Sequence, residues 1–187
     1  MITYLLLILS LLVPTAQAHT MEESHEHLVQ DVFAFKSNED QERLVAGFTL
    51  SAQAELNPDL LYQFNFDTNQ DGIEDRVVQV SVSDSGSELE ATVTEPSTPE
   101  RTGDTVQRVK IETISGPVST HANPVILAER GKSVRAFVGL RDDPIGGDAR
   151  AGKNVHAIIV ELPLSALLAE HKPDFDFWVS IYNRDQS

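Results

Sequence analysis

The residues best placed to do chemistry fall in one short stretch, where Asp67, Asn69, Asp71 and Asp75 surround Gly72. Calcium is a hard cation that takes several oxygen ligands, ideally from carboxylates spaced along a tight loop. In the twelve-residue helix–loop–helix signature, positions one, three and five are Asp or Asn and a glycine follows at six. Asp67, Asn69, Asp71 and Gly72 meet those requirements. Asp75 falls at position nine, and Ile73 at position seven would contribute its backbone carbonyl. Position twelve is Val78 rather than a bidentate Glu, and both flanks read as strands. The spacing therefore predicts a calcium loop of the DxNxDGxxD kind on a hairpin, binding more weakly than a full helix–loop–helix site. Asp, Asn and Gly also make good turns without any metal. A turn needs one or two such residues, whereas here four oxygen-bearing side chains recur, so a structural calcium ion is the favoured reading.

Other residues offer weaker chemistry. Asp142 and Asp143 follow Arg141 at the end of a strand pattern; neighbours on an extended strand point to opposite faces, which makes them a poor acid–base pair. They read as a turn cap before Pro144 and a partner for Arg141 or another loop, with a metal contribution as the lesser alternative. If export cleaves the chain after Ala18, His19 becomes the N-terminus, and its amine and imidazole together suit copper. His25 and His27 lie close behind. The polar, acidic Thr20–Glu26 stretch reads instead as a leader without fixed structure. His121, His156 and His171 are scattered, and His156 falls on the Ile158–Val160–Leu162 face as a satisfied core or edge residue. Ser119-Thr120-His121 has no supporting motif. No nucleophile elbow, phosphate loop or zinc-protease helix occurs, and nothing singles out two of the 29 acids as glycosidase carboxylates. Phe177, Trp178 and Tyr182 suit either a sugar-stacking platform or the core.

The elements that must position these residues are short strands. Tyr62, Phe64 and Phe66 alternate with Leu61, Gln63 and Asn65 before the acidic loop, and Val78, Val80 and Val82 keep the same period after it, which predicts a hairpin. Further strands are expected over Val32–Phe35, Leu44–Leu50, Leu89–Thr94, Val106–Thr113, Val134–Leu140, Val155–Leu162 and Phe175–Tyr182, with a short helix near 165–170. The expected fold is all-β: an antiparallel β-sandwich of roughly nine short strands. Glu95–Asp104 and Pro144–Lys153 read as loops inside one domain.

Length, charge and the N-terminus set the wider bounds. A chain of 187 residues suits one domain with a real core. Residues Ile2 to Ala18 carry no charge, and the apolar run that starts at Tyr4 stops at Pro14, too short for a membrane span. The run closes on Ala16-Gln17-Ala18, a small-x-small pattern accepted by signal peptidase. The expected organisation is a signal peptide over 1–18, a flexible His- and Glu-rich leader over 19–30 and one β domain over 31–187. That places the protein outside the cell or in a periplasm, with no membrane insertion after cleavage. With no cysteine, disulfides and thiol chemistry are excluded. The net charge of −15 repels phosphate backbones and anionic lipid, which argues against nucleic-acid partners.

Several stretches together resemble domain-of-unknown-function family 4331, a group of secreted, mostly bacterial proteins. They are Asp31-Val32-Phe33-Ala34-Phe35, the Tyr62–Val80 hairpin with its acidic turn, Phe137–Pro144 and Asn154–Leu167, in the family's order. Departures include Ser24-His25-Glu26-His27 in place of the family's usual opening, and Ile145-Gly146-Gly147 where bulky aromatic residues normally follow RDDP. The chain resembles a shortened member. The family has no established activity, so the resemblance implies no catalytic residue. Residues and resemblance together favour a secreted, calcium-stabilised binding or surface module without enzymatic activity. The competing class is a metal-handling protein or metal-dependent enzyme using the N-terminal histidines or the RDDP region.

Overall fold

The computed structural model describes residues 29–51, 54, 56–96, 108–142, 154–168 and 174–184. Among these residues ten strands form two five-stranded antiparallel sheets, as the alternating sequence pattern predicts. They are β1 (Val29–Lys36), β2 (Arg43–Ser51), β3 (Leu60–Asp67), β4 (Arg76–Val82) and β5 (Glu88–Pro96), followed by β6 (Arg108–Pro117), β7 (Leu127–Ala128), β8 (Arg135–Asp142), β9 (Asn154–Pro163) and β10 (Asp176–Asn183). The first sheet has the order β1-β2-β9-β8-β7, and the second β10-β3-β4-β5-β6. The nine anticipated strands are all present. The two-residue β7 is additional, too short to leave a periodic signal. Of the short helix expected near 165–170, the described residues show a 3-10 turn over Leu164–Ala166, while 169–170 lie outside them; β1 begins at Val29, two residues inside the anticipated leader.

Alternation decides what each sheet buries. Leu60, Tyr62, Phe64 and Phe66 of β3 face the core between the sheets, opposite Leu44, Ala46, Phe48 and Leu50 of β2. Phe48 of the first sheet meets Phe64 of the second at 5.3 Å between ring centroids, and Phe64, Phe66 and Phe177 continue the stack. Each fully buried side chain of this size contributes about 1.5–3 kcal/mol of transfer free energy, and Phe48 joins the two sheets through its contacts with Tyr62 and Phe64.

Arg43 and Arg135 both pair with Glu161 on the outer side of the first sheet. The β3–β4 hairpin has the expected register, with Tyr62 opposite Val80 and Phe66 opposite Arg76. Its connection is the acidic loop, which therefore sits at one end of the second sheet. Among the described residues, no helix is long and apolar enough to cross a membrane.

Candidate functional site

The acidic loop is organised from its first residue. Asp67 ends β3 with no solvent exposure, and burying a carboxylate without partners would be prohibitive. Its partners are backbone N–H groups of the loop itself. The Asn69, Gln70 and Asp71 amides donate to Oδ1 at 3.2, 2.5 and 3.3 Å, and the Gly72 amide donates to Oδ2 at 2.7 Å. To bring four successive amides round one carboxylate the chain must curl tightly. It does so through the left-handed region at Gln70 (φ 64°) and Gly72 (φ 85°). Glycine meets that requirement without a Cβ penalty.

Asp75 closes the loop from the other side. Its Oδ2 accepts the Thr68 amide at 2.8 Å, the Thr68 hydroxyl at 2.7 Å and the Asn69 amide at 3.1 Å. Its Oδ1 accepts the Asn69 side-chain amide at 3.0 Å, while the Asp75 amide donates to the Phe66 carbonyl at 2.9 Å. Asp71 is exposed and accepts the Ile73 amide at 2.9 Å. Arg108 of β6 donates to both the carbonyl and the carboxylate of Glu74, which anchors the loop's far side to the sheet.

The sequence-predicted set thus shares one loop, with each carboxylate serving as a hydrogen-bond acceptor for its backbone. Asn69 turns its side-chain nitrogen toward Asp75, and Ile73 takes part through its N–H. Among the described residues, no group of three or more His, Asp or Glu side chains is gathered as a metal-ligand set. Asp67 and Asp75 each concentrate their accepted bonds on one oxygen and accept a single bond on the other. A carboxylate oxygen has two lone pairs, so the lightly used oxygens retain acceptor capacity.

The other sequence candidates are dispersed. Asp142 ends β8 opposite Asn154; Asp143 lies outside the described residues, as do the anticipated signal peptide, His19, His25, His27 and His171. Arg141 lies over the Phe137 ring, with its guanidinium carbon 5.2 Å from the centroid. His156 is half-buried, and its Nδ1 lies 2.6 Å from the Ala54 carbonyl oxygen. A carbonyl can only accept, so Nδ1 carries the proton. His121 and His156 line the same cavity of about 530 Å3 at the end of the sandwich, beside the β4–β5 turn. Phe177 joins the core, whereas Trp178 and Tyr182 alternate onto the opposite face, beside Asn65 and Leu61.

Sequence reasoning missed a polar row on that outer face of the second sheet. Gln79 donates to Gln63 at 2.9 Å, Gln63 to Asn65 at 2.6 Å, and Asn65 to the Ser180 hydroxyl at 3.1 Å. These residues come from β4, β3 and β10, and only strand order brings them together. The lone signal available was the amide at every second position of Tyr62–Phe66. No family model, curated protein or solved structure matches this chain.

Proposed function

We propose that this chain is an exported, non-enzymatic β-sandwich module whose Asp67–Asp75 loop takes up calcium as a structural ion. The observation that carries the reading is the confinement of Asp67, Asp71 and Asp75 to one loop curled by Gln70 and Gly72, with acceptor capacity left on the carboxylates. The loop's own amides already neutralise part of the charge, so the ion competes with an ordered turn. Affinity in the range of weak extracellular calcium modules follows, with dissociation constants of about 10⁻⁴–10⁻³ M. In the bound loop Asp67, Asp71 and Asp75 supply carboxylate oxygens, Asn69 turns its amide oxygen inward and Ile73 offers its carbonyl. Export, suggested by the apolar N-terminal run and its small-x-small close, would place the module where calcium reaches such concentrations. The resemblance to domain-of-unknown-function family 4331 belongs to the same reading.

The test is thermal melting with calcium and with chelator. Calcium at a hundredfold excess over its dissociation constant should add about 2.7 kcal/mol by mass action. Asp71→Ala should abolish most of that gain while leaving the chelated protein's melting temperature nearly unchanged. A wild-type melting temperature equal in both conditions would reduce the loop to a turn. A metal inventory of the purified protein separates this reading from its competitor, since firmly held copper or zinc would favour the N-terminal histidines instead.

A further inference from the structure

The outer face of the first sheet lies apart from the acidic loop, which belongs to the other sheet. Strand register aligns Phe35, Val45, Glu161 and Arg135 across β1, β2, β9 and β8, and next to them Phe33, Gly47, Ile159 and Phe137. Both rows point away from the core, because the alternate residues Ala46, Phe48, Ile158 and Val160 fill it. A face open to water is expected to be polar, yet this one is largely apolar. It forms a groove of about 310 Å3 lined by Phe35, Val45, Ile126, Phe137, Ile159 and Arg141. Phe35 is 49% exposed and Ile126 67% exposed. The volume lies at the lower end of the range for small-molecule sites, about 300–1,000 Å3.

Charge distinguishes what the groove suits. Arg135 and Arg43 are ion-paired with Glu161. Arg141 is different: it stacks on Phe137, and no described carboxylate lies within ion-pair distance of it. Stacking uses the face of the guanidinium and leaves its N–H edge for an in-plane, two-pronged acceptor. The net charge of −15 works against an anion at long range, but at contact distance an arginine at an apolar groove, with no carboxylate partner among the described residues, is complementary to one. A second copy of the chain would bring another −15 against the same face, which disfavours self-association.

We propose that this groove binds a small monocarboxylate with an apolar body, such as a medium-chain fatty acid. The carboxylate takes two hydrogen bonds from Arg141, and the chain lies over Phe137 and Ile159 toward Val45 and Phe35. Glu39 borders the groove on the Phe35 side and repels a second carboxylate, which selects for one charged end.

Octanoate is the probe, titrated into protein carrying labelled Ile and Val methyl groups and followed by NMR. Saturable shifts should appear at Ile126, Ile159 and Val45. Arg141→Gln, and separately octan-1-ol in place of octanoate, should each weaken binding roughly tenfold, the scale of one charge-assisted contact. Phe35→Asp, at an exposed position, should also weaken it while circular dichroism stays unchanged. Three outcomes would overturn the proposal. These are absence of saturable shifts at those methyls, octanol and octanoate binding alike to wild type and Arg141→Gln, and the same methyls shifting with protein concentration alone. The last would make the face a contact between copies of the chain.

Discussion

Glu112 of β6 accepts the amide and hydroxyl protons of Ser133, which lies just before β8 in the other sheet. It also accepts the Val134 amide, so one carboxylate ties the edge of the second sheet to the first. Burial pushes the Glu112 carboxyl upward, but the Ser133 amide and hydroxyl, the Val134 amide and nearby Lys132 outweigh it. The net effect holds the group below its ordinary value of 4.5.

Acid should therefore loosen this clasp. A carboxyl depressed in the folded state contributes stability above its unfolded value, and that contribution is lost as pH falls through the folded value. Wild-type melting temperature should drop as pH falls below 4.5, and Glu112→Ala should flatten that part of the curve. At neutral pH the same substitution should cost about 1 kcal/mol through the amides it leaves unpartnered. Parallel acid profiles for the two proteins would contradict the assignment.

Tyr62 makes the opposite prediction at alkaline pH. Burial raises its hydroxyl above the ordinary 10.0, and the Asn57 amide, which donates to the hydroxyl oxygen at 3.1 Å, lowers it by less. A raised folded value means stability is full below the unfolded value and is lost as pH rises through the folded one. Melts collected above pH 10.0 should fall faster for wild type than for Tyr62→Phe. Near neutrality Tyr62→Phe should cost about 1 kcal/mol by orphaning the Asn57 amide.

Asp67→Asn tests the loop scaffold without reference to metal. The substitution turns one acceptor oxygen into a donor facing amides that are themselves donors. Chemical unfolding in chelator should reveal a loss of about 1–3 kcal/mol. Asp71→Ala, at an exposed position, should lose much less. Equal effects would mean that the Asp67 bonds do not organise the turn.

Two further substitutions separate packing from backbone strain. Phe48→Ala removes a fully buried ring that touches Tyr62 and Phe64, for an expected loss of about 3–5 kcal/mol. At Gly72 an added Cβ would meet nothing within 4 Å, so any loss there comes from its φ of +85° alone. Gly72→Val should cost about 1–2 kcal/mol. Urea denaturation would measure both; a harmless Gly72→Val would imply that the loop readily adopts another conformation.

By itself the sequence determined the local facts: the strands, the hairpin around the acidic loop and the glycine at its bend. Alternation in Tyr62–Phe66 and Val78–Val82 is a short-range signal, because successive strand residues must face opposite sides. What the carboxylates of the loop bond to was not legible, since that depends on how the backbone curls. Gln70 in particular adopts a positive φ that its side chain does not announce. Pairing between distant strands was equally hidden: β2 beside β9 sets Gly47 against Ile159, and β10 beside β3 sets Ser180 against Gln63. Only the tertiary structure decided that Phe33, Phe35 and Phe137 share an outward face, that Arg141 stacks on Phe137, and that Glu112 clasps the sheets. The physical reason is that periodicity tells which residues share a face of one strand. Which strands lie side by side, and what covers each face, is set by the packing of the whole chain.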